Sequence, residues 1–287
     1  MSAALRDSSP ATLYPSLEQE FAFSPQDFER VRRLIYDHAG ISLHAGKQAM
    51  VYSRLSRRLR ETGHRTFSAY LAWLEQAHDS GAAAEWQQFV NGLTTNLTAF
   101  FREPHHFDCL VDDLRQRQGR ELRIWCAAAS TGEEAYSIAM VVDETLATAS
   151  RVAIVASDID TTVLATAHAA IYDAGSRGLS PARLQRHFLR GKGANQGRIR
   201  VRPELARRVS FRRLNLMDPR WDVGEAFDIV FCRNVMIYFD AATQRRVLER
   251  LHGVLANDGL LYVGHSENFT HARDLFHLRG KTIYAKV

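Results

Sequence analysis

Four stretches of the chain concentrate residues that can do chemistry. The run Ala127-Ala128-Ala129-Ser130-Thr131-Gly132-Glu133-Glu134 is small-residue-rich and ends in a glycine and two acids. Small side chains let backbone approach a ligand closely, and the glycine frees the turn. The run lacks GxGxxG spacing and the Gly-Lys-Ser/Thr of a P-loop. Two carboxylates there would repel phosphate and suit a cation or an amine; they equally complement the positive end of a following helix. Next, Ser157-Asp158-Ile159-Asp160 places acids roughly 25 residues past the glycine, where a carboxylate at the end of a second strand suits a ribose diol. An N-cap by Asp160 is the competing reading. Third, the apolar run from Phe227 ends in Arg233, Asn234 and Tyr238. Fourth, Thr94-Thr95-Asn96-Leu97-Thr98-Ala99-Phe100-Phe101-Arg102-Glu103 has the composition of a packed connector, not a solvated tether.

None of these stretches holds a His–Asp or Cys–His pairing for nucleophilic catalysis. His105 and His106 are neighbours that should point apart on a helix with no third ligand nearby, so no metal is expected. Cys109, Cys126 and Cys232 are odd in number and widely spaced, which implies neither a disulfide framework nor a zinc knuckle. A reducing cytoplasm fits them, with Cys126 and Cys232 buried as small hydrophobes.

Strands and helices must position these residues. Leu122–Cys126, Val152–Ser157, Phe227–Cys232 and Leu260–Val263 read as strands. Helical stretches near 134–147, 161–170 and 242–255 alternate with them, as in a mostly parallel sheet wrapped by helices. Ligands in such folds bind beyond the carboxyl ends of the strands. Residues 172–208 break the alternation with several glycines and the alternating Arg198-Ile199-Arg200-Val201-Arg202, an inserted antiparallel subdomain. Residues 21–92 read as helices throughout: Ser24 and Pro25 open the first, and Gly40 stops it. The second carries Arg54, Arg57 and Arg58 at three- and four-residue steps, a short basic face that is either solvated or a docking surface.

The 287 residues are 46% hydrophobic and 24% charged, an ordinary globular composition that excludes a mostly disordered chain. At about 150 residues per domain, one large or two modest domains follow. No apolar run is long enough to span a membrane. Residues 1–20 form a polar tail without the basic start and apolar core of a secretory leader. The net charge of +5 permits an anionic partner without demanding one.

In order and spacing, five segments resemble the chemotaxis receptor methyltransferases (CheR-type protein-glutamate O-methyltransferases). They are Asn96–Arg102, Ala128–Glu134, Ala156–Asp160, Phe231–Phe239 and Gly264-His265-Ser266-Glu267-Asn268-Phe269. The resemblance implies an α/β fold: a doubly wound, mostly parallel sheet of the class I methyltransferase, Rossmann-like type. An N-terminal all-α domain and a small inserted antiparallel β-subdomain accompany it. The implied units are a tail at 1–20, a helical receptor-docking domain at 21–92, a linker and connecting helix at 93–119, and a methyltransferase domain at 120–287 with the insert at 172–208.

The resemblance also implies S-adenosylmethionine as cofactor, released as S-adenosylhomocysteine. Asp158 would hold the ribose and Glu133 the cationic amino group, with Glu134 the open alternative. Arg102, Asn96 and Thr98 would close over the methionyl end, Asn215 and Leu216 would flank the adenine, and Arg233 and Asn234 would line the cofactor. Arg102 and Tyr238 would sit beside the transferred methyl. The implied acceptor is a receptor glutamate; its pKa near 4.3 leaves it ionised, so alignment is needed and a general base is not. The implied partner is the receptor cytoplasmic domain, met through Arg54, Arg57 and Arg58, with a C-terminal receptor pentapeptide joining the β-subdomain as an added strand. A cytoplasmic monomer recruited to membrane receptor arrays follows, without nucleic acid and without membrane insertion. A nucleic-acid methyltransferase is disfavoured because Arg233-Asn234-Val235-Met236 has no proline where amino-methylating enzymes carry Asn/Asp-Pro-Pro-aromatic. A non-catalytic cofactor-sensing or tethering module is the other alternative.

Overall fold

The computed structural model describes residues 20–76, 82–146, 151–224 and 226–287. The expected tail lies outside them except for residue 20, as does the last residue of the expected 134–147 helix.

The helical unit comprises α1 (Pro25–Ala39), α2 (Gln48–Thr62), α3 (Phe67–Gln76) and α4 (Ala82–Leu93). Ser24 caps α1: its hydroxyl accepts from the Asp27 amide at 3.1 Å, and the Asp27 carboxylate accepts from the Ser24 amide at 3.0 Å. This reciprocal pair satisfies two otherwise orphaned donors. Gly40 ends α1 in the left-handed region at φ 69°. Val31, Ile35, Val51, Leu55, Phe67, Leu71 and Phe89 meet in one core.

After α5 (His105–Gln116), strands and helices alternate: β1 (Leu122–Cys126), α6 (Glu133–Thr145), β2 (Val152–Asp158), α7 (Thr161–Ala169), then β3 (Ile171–Asp173). There follow α8 (Pro181–His187), β4 (Phe188–Arg190), β5 (Arg198–Val201), α9 (Pro203–Ala206), β6 (Val209–Arg213) and β7 (Phe227–Phe231). The chain closes with α10 (Ala241–Val254), β8 (Leu255–Tyr262), β9 (Phe276–Gly280) and β10 (Ile283–Lys286). Seven strands form one sheet in the order β6-β2-β1-β7-β8-β10-β9. The first five in that order are parallel, and β10 runs antiparallel to β8 and β9. Every residue of β7 is buried, as befits a strand covered on both faces; its one polar residue, Asp228, accepts from the Arg123 amide at 2.8 Å. The chain winds outward from β1 through β2 to β6, then places β7 on the other side of β1. The strand order therefore reverses between β1 and β7, where α/β sheets open a crevice.

The insert is a three-stranded antiparallel sheet in the order β3-β5-β4. Along β5, Arg198 and Arg200 face water while Ile199 and Val201 are buried. Gly178 joins this subdomain to the connector. Its φ is +91°, and a Cβ there would stand 1.8 Å from the Phe100 carbonyl oxygen. The Phe100 ring packs edge-on against Tyr172 and Phe188 at 5.0 and 5.7 Å. No described helix is long and apolar enough to cross a membrane.

Candidate functional site

A cavity of about 300 Å³ lies at the reversal point. Its floor is the loops after β1, β2 and β7; its walls are the 94–103 connector and the turn between α1 and α2. Asn96, Thr98, Arg102, Asp158, Asn215, Leu216, Arg233, Asn234 and Tyr238 all line it. Of the residues singled out in the sequence for this site, Glu133 alone does not; Glu134 does.

Asp158 ends β2 and is 8% exposed. Its Oδ2 accepts from the Ser130 amide at 2.8 Å and its Oδ1 from the Asp160 amide at 2.9 Å. Burial pushes its carboxyl up to about 6, against the pull of these two bonds. A carboxylate offers about four lone-pair sites, so two remain for a diol. Asp160 takes the capping role: its Oδ1 accepts from the Thr162 and Val163 amides at 2.8 and 3.3 Å. Its Oδ2 accepts from Thr94 Oγ1 at 2.8 Å and from Asn96 Nδ2 at 2.7 Å. The two acids thus divide the work, one facing the cavity and one tying down the connector.

The adjacent glutamates also divide. Glu134 is buried and already neutralised, with Oε2 2.6 Å from Arg233 Nη1 and Oε1 accepting from Cys126 Sγ at 3.3 Å. Glu133 has no cation partner among the described residues. Thr131 Oγ1 donates to it at 2.6 Å, and burial pushes its carboxyl up. An acid held partly out of water without a counter-charge is the one that a ligand ammonium would stabilise.

Arg233 is 4% exposed. It also pairs with Glu103 at 3.0 Å and donates to the Arg102 carbonyl at 2.7 Å. Both of its Nη atoms are therefore engaged inside the protein, while its buried Nε has no hydrogen-bond partner among the described residues. Asn234, at φ 57°, donates from Nδ2 to Glu103 Oε1 at 3.2 Å. The buried Glu267 carboxylate accepts from the amides of Asn234, Met236 and Gly264 at 2.9, 2.8 and 2.6 Å, which fixes the loops after β7 and β8. Asn215 donates from Nδ2 to the His38 carbonyl at 2.6 Å and accepts from the Met217 amide at 2.9 Å, so it joins α1 to the sheet beside the apolar Leu214 and Leu216. Arg102 donates to the Leu97 carbonyl at 2.8 Å. The Tyr238 hydroxyl has no partner among the described residues, and the Tyr238 carbonyl accepts from the Ser42 amide at 2.8 Å.

Two expectations need correction. Arg54 and Arg58 do not present a free basic face. Arg54 donates to the Leu93 and Thr94 carbonyls at 3.3 and 2.6 Å. Arg58, its side chain 15% exposed, is bound to Glu85 and Glu61. Only Arg57 of the three is open, with its side chain 76% exposed beside Glu61. Nor do His105 and His106 lack a nearby carboxylate: Glu103 closes a trio whose ligand atoms lie within 4.8 Å of one another. Its oxygens are held by Arg233 and by His265 Nδ1 at 2.9 Å, so a cation already occupies that carboxylate. Sequence reasoning missed the cavity wall supplied by the helical unit, from Ala39 through His44 and Lys47 to Met50. The glycine stop at Gly40 was its only signal.

The donor set fits S-adenosylmethionine. Asp158, with two spare acceptor sites, would suit a ribose, and Leu214, Leu216 and Ile159 would give an adenine apolar contact; the acid free to meet an ammonium, Glu133, stands outside the lining beside the lining residue Glu134.

The family model described as CheR methyltransferase, SAM binding domain, matches residues 96–285, and that described as CheR methyltransferase, all-alpha domain, matches residues 26–94. The chain is similar to the chemotaxis protein methyltransferase of Escherichia coli (strain K12), 52% identical over 276 residues, covering 96% of this chain and 95% of that protein. It is 51% identical over 271 residues to that of Salmonella typhimurium (strain LT2), covering 94% and 93%. It is 49% identical over 271 residues to chemotaxis protein methyltransferase 2 of Pseudomonas aeruginosa (strain PAO1), covering 93% and 95%. Matched in order by both domains, the chain belongs to the CheR methyltransferase family, with S-adenosylmethionine as its cofactor.

Proposed function

We propose that the chain transfers a methyl group to glutamate side chains of chemotaxis receptors. The names of its relatives support the pathway. The observation that carries the chemistry is that one cavity is lined both by Arg102, from the connector, and by Tyr238, whose hydroxyl has no partner among the described residues. His44, the one histidine on the described wall, has no carboxylate partner among the described residues.

Bound S-adenosylmethionine supplies a sulfonium methyl that needs no further activation. A glutamate oxygen would take that methyl as the carbon–sulfur bond breaks and its electron pair returns to sulfur, so no residue of the chain would need to move a proton. Asp158 and Arg102 would hold the ribose and carboxylate groups of the donor, Glu133, outside the lining but without a cation partner among the described residues, would take its amino group, and Leu216 would bear on its base. The Tyr238 hydroxyl donates to the incoming carboxylate and turns an oxygen in line. Such alignment supplies up to ~7–11 kcal/mol of barrier lowering. A neutral donor suits the task, because charge disappears on transfer and a tightly paired nucleophile would be slowed.

The receptor's acidic helices would meet the exposed Arg57 on α2, a contact that salt should weaken. The outer edge of the small sheet suits an added strand: Leu189 and Arg190 on β4 are exposed beside an apolar hollow formed by Pro181, Leu184 and Phe188, with Arg202 at its side. An acidic, aromatic receptor C-terminus matches that chemistry. The test is transfer of labelled methyl to receptor-rich membranes. Base-labile label released as methanol is expected; its absence would overturn the proposal.

A further inference from the structure

The geometry points to Glu103 as a positioning residue that sets Arg102 at the cavity by holding Arg233 against the Arg102 carbonyl. The inference rests on the reading of Arg102 as the donor's carboxylate partner.

Arg102 sits between two residues in the left-handed region, Phe101 at φ 51° and Glu103 at φ 57°. Side chains with a Cβ avoid that region, so surrounding contacts must impose it. On one flank, the Phe101 amide donates to Ser137 Oγ at 3.0 Å and the Arg183 guanidinium lies 3.8 Å from its ring centre. On the other, Glu103 supplies every restraint. Its carboxylate pairs with Arg233 at 3.0 Å and accepts from Asn234 Nδ2 at 3.2 Å. It also accepts from the His265 amide at 3.2 Å and bonds His265 Nδ1 at 2.9 Å. Arg233 follows β7 and His265 follows β8, so one carboxylate spans both loops framing the cavity. Arg233 then returns to the connector through its 2.7 Å bond to the Arg102 carbonyl. The ring closes on the backbone of Arg102 alone. Burial opposes the charge on Glu103, yet His265 and Arg233 hold it down at about 2, so the clamp stays charged across the working range. Among the described residues, the Glu103 side chain meets the cavity lining through Arg233 and Asn234.

The test is a double-mutant cycle read by calorimetric affinity for S-adenosylmethionine. Glu103→Gln should weaken binding about tenfold in the native background, in line with losing one charge-assisted contact. In an Arg102→Ala background the same change should cost less than about twofold, because Glu103 acts through Arg102. His265→Ala, at an exposed position safe for folding, should weaken binding about two- to threefold and lose that effect in the same background. Equal losses in both backgrounds, or no loss at all, would overturn the assignment. If binding behaves as expected but receptors accept no methyl, the acceptor proposed above fails and the role of Glu103 stands.

Discussion

Arg58 and Arg57 are neighbours on one helix, and the structure gives them opposite fates. Arg58 Nε donates to Glu85 at 2.9 Å, and its Nη2 pairs with the same carboxylate, which also accepts from the Tyr70 hydroxyl at 2.8 Å. Glu85 is 6% exposed. Arg58→Ala would leave a buried carboxylate with a single neutral donor. Removing one partner of a buried pair costs about 3–5 kcal/mol, and the slight exposure of Arg58 favours the lower end, about 3 kcal/mol. At about 2–4 °C per kcal/mol, the melting temperature should fall by roughly 6–12 °C. Arg57→Ala should leave melting unchanged, because an exposed pair one helical turn apart contributes little. It should instead raise KM for the receptor and flatten the dependence of KM on salt. Thermal unfolding followed by circular dichroism, with methyl transfer at low and high salt, separates the two. A wild-type melting temperature for Arg58→Ala, with a KM raised as far as by Arg57→Ala, would refute the assignment.

Other outcomes follow from the cavity and its supports. Tyr238→Phe should lower kcat by about tenfold or more while S-adenosylmethionine affinity holds, since only the alignment of the acceptor is lost; single-turnover transfer measures it. Asp158, raised to about 6, keeps a proton in the folded state that the unfolded chain releases above about pH 4. Stability of the ligand-free protein should therefore fall as pH rises from about 4 to about 6, while affinity for the cofactor rises through about pH 6; calorimetry at about pH 5 and about pH 7.5 checks the second half. Gly178→Ala drives a methyl onto the Phe100 carbonyl at a positive φ and should cost more than about 3 kcal/mol, read as a lowered melt and faster proteolysis of the insert.

The parallel strands were legible because β1, β2 and β7 are short, mostly apolar runs, each broken by at most one charged residue before its end, as suits strands buried on both faces. The C-terminal hairpin was not: along β9, His277, Leu278 and Arg279 are all exposed, so no alternation marks it. The cavity lining was readable where residues stand at a strand end or in the loop that follows it, as Asp158 does at the end of β2 and Asn234 and Tyr238 do after β7. Charge pairing was not readable. Spacing on α2 shows that Arg54 and Arg58 share a face, but only the packing of α4 reveals that Glu85 and the Leu93 carbonyl wait beneath it. Glu103 escaped notice for the same reason, since its partners lie far along the chain.

The turn after Gly40 belongs to the helical bundle yet bounds the chamber in which the donor would rest. On the docking role proposed for the bundle, target recognition and reagent storage would share masonry. A chimera cut at the end of α4, carrying the bundle of a distant relative, would inherit a foreign panel along one side of the chamber. Retargeting by module exchange would alter reagent affinity as well, and new receptor preferences are more readily reached by changes on the outward side of α2 than by transplanting the bundle whole.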